Sequence, residues 1–98
     1  MRVIARKAIV AFYTLHPDAK TALEEWYGKT EDALWENFSQ VKNTFRSADY
    51  VGNNRIVFNI KGNQYRLIAQ VLFKIKMAYI RFIGSHKEYD TIADIENI

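Results

Sequence analysis

Apolar residues recur at helical spacing through the first half of this chain and at strand spacing through the second, with the change of period beyond Ser47. Met1 to Ala5 can form a short opening strand, after which Ala8, Ile9, Phe12 and Tyr13 mark one face of a first helix. His16-Pro17-Asp18 reads as a break and a restart. Pro17 suits a first helical position, and the stripe that follows is Ala19, Ala22, Leu23, Trp26 and Tyr27, with Asp18, Glu24 and Glu25 on the wet face. Gly28 and the polar residues from Lys29 to Asp32 loosen the pattern before Leu34, Trp35, Phe38, Val41 and Phe45 resume it as a third helical segment.

The second half alternates. Arg55 to Lys61 and Gln64 to Phe73 are strand-like runs, and Gly62-Asn63 between them is a two-residue hairpin turn signal. Such a turn sets Ile60 opposite Tyr65, Asn59 opposite Arg66, Phe58 opposite Leu67, Val57 opposite Ile68 and Ile56 opposite Ala69. One face then carries Ile56, Phe58, Ile60, Tyr65, Leu67 and Ala69. The other carries Arg55, Asn59, Lys61, Gln64, Arg66 and Gln70, softened by Val57 and Ile68. A second turn at Lys74-Ile75 sets Leu72 against Met77, Ala69 against Ile80, Ile68 against Arg81 and Arg66 against Ile83. Tyr79 and Arg81 thereby join the polar face, and Ile80 and Phe82 the apolar one. The expected architecture is α+β: an N-terminal strand and two to three helices packed on one face of an antiparallel sheet, then a short C-terminal helix after His86.

Composition changes this picture little. With 98 residues, 49% apolar and 26% charged, the chain is expected to form a single domain spanning 1–98 with a hydrophobic core of its own. It has no cysteine, which excludes disulfide frameworks, thiolate nucleophiles and the commonest zinc sites. No apolar run approaches the roughly 20 residues of a bilayer span, and the start lacks a signal-peptide core, so a cytoplasmic protein is expected. No phosphate loop, dinucleotide fingerprint, metal motif or nucleophile elbow is present, and the expected chemistry needs neither a metal nor a cofactor.

Charge changes it more. The net charge of +3 is modest, but the stretch from Tyr50 to Lys87 holds Arg55, Lys61, Arg66, Lys74, Lys76, Arg81 and Lys87 and not one acid. A sheet face bearing Arg55, Lys61, Arg66 and Arg81 suits a sugar-phosphate backbone, because guanidinium groups grip phosphate oxygens in pairs. Asn59, Gln64 and Tyr79 are candidates to touch bases. The same cations would also serve solubility and guard a sheet edge, the role assigned to Lys74 and Lys76 at the far turn. His86 follows Gly84-Ser85 at the end of the last strand, with Lys87 and Tyr89 beside it. Metal-free RNA cleavage needs a base, an acid and cations for the charge that develops, and these residues supply all three types. His16, ahead of Pro17, is read as part of a helix boundary, and Trp26, Trp35, Phe38 and Phe45 as core.

Several segments together resemble the HigB toxins of type II toxin-antitoxin modules, within the wider RelE/ParE-like superfamily. They are Ala5-Arg6-Lys7-Ala8, Val57-Phe58-Asn59-Ile60-Lys61-Gly62-Asn63 with Tyr65-Arg66-Leu67, and Tyr79-Ile80-Arg81 leading into His86-Lys87-Glu88-Tyr89-Asp90. The resemblance implies a RelE-like fold and a ribosome-dependent mRNA interferase. It also implies neutralisation by a cognate helix-turn-helix antitoxin of the HigA kind, through which alone operator DNA is bound. Arg66 matches the arginine that RelE-like toxins use on the scissile phosphate. His86 falls where RelE has a second catalytic arginine, and Tyr89 lies closer to the preceding glycine than RelE's catalytic tyrosine does. The implied catalytic set is Arg66, His86 and Tyr89, with Arg55, Lys61, Arg81 and Lys87 binding phosphate. A non-catalytic RNA-binding module and a ParE-like gyrase poison are the alternatives.

Overall fold

The computed structural model describes all residues, 1–98. Five strands form one sheet in the order β1-β5-β4-β3-β2: β1 (Arg2–Ile4), β2 (Asp49–Gly52), β3 (Arg55–Ile60), β4 (Tyr65–Leu72) and β5 (Met77–Ser85). Helices α1 (Arg6–Leu15), α2 (Lys20–Asp32) and α3 (Phe38–Thr44) separate β1 from β2, and α4 (His86–Asp90) follows β5. No helix is long and apolar enough to cross a membrane.

The helices cover one sheet face because their stripes and the sheet's alternation meet there. Trp26 of α2 lies edge-on to Phe58 of β3 at 5.4 Å, and Phe45 meets the same Phe58 at 5.3 Å. Ile9, Leu23, Val41, Ile56, Leu67 and Ala69 are fully buried around them. The helical segments differ from expectation in two respects. α2 runs on through Gly28 to Asp32, since Thr30 extends the buried stripe of Leu23 and Trp26. α3 starts only at Phe38, capped by the Asn37 side chain accepting from Gln40 N–H, and Leu34 is 81% exposed instead of core.

The β3–β4 register is as expected at every pair from Ile56↔Ala69 to Ile60↔Tyr65. The loop between them is Lys61 to Gln64, with left-handed backbone at Lys61 and Gly62 (φ 52° and 65°), so the turn begins one residue earlier than Gly62-Asn63. Along β5 the register slips. Ala69 faces Ile80 as expected, but a bulge follows, and Ile68 faces Phe82 while Arg66 faces Gly84. Phe82 therefore moves to the face away from the helices, and Ile83 turns inward against the core. Two edge strands complete the sheet. β1 pairs with β5 in parallel, which makes the sheet mixed, and β2, absent from the sequence reading, pairs with β3.

The second face is not bare. Val57 and Ile68 lie on it and are 4% and 0% exposed. α4 packs on β4 and β5, and a 3-10 turn at Ile95–Asn97 packs on β2, so the C-terminal segment crosses the face. Ile68→Ala should consequently cost about 2–5 kcal/mol in urea unfolding, the range for a buried isoleucine. A loss below about 1 kcal/mol would show that this face is not packed.

Candidate active site

Register puts Asn59, Arg66 and Gly84 on one rung across β3, β4 and β5 of the second face. Arg66 Nη1 donates to Asn59 Oδ1 and to Asn63 Oδ1, the latter at 2.7 Å. Its guanidinium carbon stands 5.2 Å from the centre of the Tyr89 ring. The arginine is thus held along one edge by two amides and along its plane by an aromatic ring, with its other N–H groups available for phosphate oxygens.

α4 delivers Tyr89 and His86. Ser85 caps it in a reciprocal box: Ser85 N–H donates to Glu88 Oε1 at 2.8 Å, and Glu88 N–H to Ser85 Oγ at 3.1 Å. The Ser85 amide holds the Glu88 carboxyl below its usual range, helped by the Ser85 side chain. His86 N–H donates to Gln64 O at 3.1 Å, which extends the β4–β5 ladder into the helix start. One turn on, Asp90 Oδ2 lies 3.2 Å from His86 Nδ1, and the two rings of His86 and Tyr89 are 6.5 Å apart. With Nδ1 turned toward the Asp90 carboxylate, Nε2 is the ring nitrogen left to exchange a proton with a substrate.

Arg66, Tyr89 and His86 are therefore gathered at one end of the sheet. A family model described as a HigB toxin, the RelE-like toxic component of a toxin-antitoxin system, matches residues 19–92, a span that contains all three. The chain belongs to the HigB toxin family. It is 32% identical over 93 residues to the mRNA interferase toxin HigB of Escherichia coli K12, an alignment covering 92% of this chain and 88% of the relative. The mRNA interferase HigB proteins of Escherichia coli O157:H7 and Shigella flexneri match to the same extent.

The other cations expected to bind phosphate are placed differently in this family member. Arg55 is 8% exposed, and its guanidinium donates to Ile98 O at 2.6 Å and Asn53 O at 3.0 Å, tying down the C-terminal segment. Lys61 leaves the strand in its left-handed turn and pairs with Asp18 at 3.1 Å on the helical side of the sheet. There Tyr65 Oη also donates to Asp18, at 2.8 Å, and Tyr65 and Lys61 together hold that carboxyl below its usual range. Arg81, pushed out by the bulge, donates to Gln70 Oε1 at 2.6 Å and lies over Tyr79, with the Ile68–Phe82 pair between it and Arg66. Lys87 is exposed on α4.

Sequence reasoning missed two contributors to the site, Asp90 and Asn63, and gave Asn59, which it set opposite Arg66, to base contact instead of to holding the arginine. Asp90 had a legible signal, an acid four residues after a histidine at a helix start. Asn59 and Asn63 were visible as polar residues, but their hold on Arg66 depends on the hairpin being closed.

The capping box gives a test with a definite sign. Because the folded pKa of Glu88 is depressed, its contribution to α4 is complete above the ordinary carboxylate pKa and is lost as pH falls through the lower folded value. Ser85→Ala should raise the Glu88 midpoint, measured by NMR, part of the way back, since the main-chain N–H remains. It should also cost about 1 kcal/mol of local stability, read as faster amide exchange over residues 86–90.

Proposed function

We propose that this HigB-family toxin is an endoribonuclease that cuts translated mRNA by metal-free attack of a ribose 2'-hydroxyl on the adjacent phosphate. The observation that carries the reading is the Arg66 guanidinium held by Asn59, Asn63 and the Tyr89 ring, with His86 on the same short helix. The family match and the mRNA interferase names of the relatives support it over a gyrase poison or a passive RNA binder.

In the reaction His86 Nε2 takes the 2'-hydroxyl proton, the freed O2' forms a bond to phosphorus, and the bond from phosphorus to O5' breaks. Tyr89 gives the departing O5' its proton, leaving a 2',3'-cyclic phosphate and a 5'-hydroxyl. Arg66 donates to the non-bridging oxygens as charge builds on them. Arg81 and Lys87, the exposed cations nearby, grip flanking phosphates. Asp90 is a positioning residue for His86. The substrate is presented on the ribosome in the cytoplasm, and a HigA-like helix-turn-helix antitoxin neutralises the toxin and carries the pair to operator DNA.

Mapping mRNA 5' ends after induced expression tests this. Arg66→Ala and His86→Ala, shown to be folded, should each cut about 10²-fold or more slowly than wild type. Wild-type cleavage should vanish when translation is blocked. Full-rate cutting by both variants overturns the site, and cutting that persists without translation overturns the ribosomal substrate.

A further inference from the structure

A cavity of about 170 Å³ opens beside Arg66, lined by Ser47, Asp49, Val57, Asn59, Arg66 and Tyr89. Strand pairing explains its make-up. Asp49 of β2 lies opposite Val57 of β3 on the face that carries Arg66, and Ser47 comes from the turn just before β2. The cavity is smaller than the roughly 300–1,000 Å³ of pockets that take whole small molecules, and it suits a single heterocycle. Its walls are a flat aromatic ring, a carboxylate, a hydroxyl and an amide. Single-stranded RNA bases are recognised by such means, stacked on an aromatic side chain and hydrogen-bonded along their edges.

Asp49 is the unexpected member. A carboxylate next to a phosphate-gripping arginine repels RNA unless the RNA offers it hydrogen bonds. Asp49 is exposed and forms none of the protein's side-chain ion pairs, with Arg66 or any other cation, so its charge is not there to anchor the fold. An ionised carboxylate only accepts. Guanine meets it best, with an imino N1–H and an amino N2–H side by side for the two oxygens. Adenine and cytosine offer an amino group flanked by an acceptor, and uracil a single N–H between two carbonyls. Asn59 Oδ1 is taken by Arg66, which leaves the amide's N–H groups for an acceptor on the base.

We infer that this cavity is a nucleobase site adjoining the scissile phosphate, selective for a base with an exocyclic amino group and above all guanine, with Asp49 as the residue that reads it. The inference rests on the ribonuclease reading and adds a sequence preference to it. Specificity of this kind is a difference between bases, so it shows in where the enzyme cuts.

The test maps 5' ends after expression of wild type, Asp49→Asn, Asp49→Ala and Asp49→Glu, each checked for folding by its thermal transition. Wild-type cuts should be enriched for guanine at one position within about two nucleotides of the break. Asp49→Asn and Asp49→Ala should still cut but lose about tenfold of the guanine-to-uracil ratio at that position, and Asp49→Glu should keep part of it. An unchanged base profile in Asp49→Asn and Asp49→Ala overturns the assignment, as does a wild-type profile without guanine preference. Complete loss of cutting by folded Asp49→Ala also overturns it, because Asp49 would then be part of the chemistry. If wild type cuts no RNA at all, the ribonuclease reading fails first and the base site with it.

Discussion

An arginine on an exposed strand has many rotamers, and in this fold Arg66 keeps one because three strands are in register around it. β3 supplies Asn59 on one side, the hairpin loop supplies Asn63, and β5 supplies a residue with no side chain on the other. A Cβ on Gly84 would come within 2.5 Å of the Phe82 ring and 3.2 Å of Glu88 Oε1. The glycine therefore lets Phe82 pack down beside Arg66 and lets the α4 capping box close immediately after the strand. If that rung slips, the arginine, the cap and the tyrosine lose their common origin together.

The bulge in β5 is part of the same arrangement. It turns Arg81 outward, sends Ile83 into the core and brings Phe82 over to face Ile68. The second face thus acquires an apolar middle, with the polar rung of Asn59 and Arg66 at one side and that of Arg55 and Gln70 at the other. The C-terminal segment is drawn across it, tied by Arg55 to the Ile98 oxygen and by Asn53 to the Glu96 oxygen at 3.0 Å. Packing of this kind keeps α4 against the sheet, and α4 carries two of the three side chains to which we assign the chemistry.

Local patterns were readable where they were regular. The β3–β4 register followed from alternation and a turn signal alone, and it placed Arg66 opposite Asn59 correctly. β5 defeated the same logic because Ile80, Phe82 and Ile83 are all apolar, so the pattern does not say where the bulge falls. β2 is four residues of Asp-Tyr-Val-Gly at an edge, too short and irregular to stand out. The destinations of Arg55 and Lys61 were hidden for a different reason: each meets a partner 43 residues away in sequence. Their neighbours in the chain are those of a phosphate-binding strand, while their neighbours in space are a main-chain oxygen and an aspartate. Arg66, His86 and Tyr89 stood out first as a cation and proton carriers in and beside the acid-free stretch, and family resemblance then singled them out as a catalytic set. Asp49 carried no signal until the sheet was assembled.

The chemistry of the ends bears most directly on whether this assembly cleaves RNA as described. Fragments produced by the toxin in translating cells should carry a 2',3'-cyclic phosphate, or the 3'-phosphate that follows from it, on the upstream piece and a 5'-hydroxyl on the downstream piece. Downstream pieces bearing a 5'-phosphate, with a 3'-hydroxyl on the upstream piece, would contradict attack by the 2'-hydroxyl at Arg66, His86 and Tyr89.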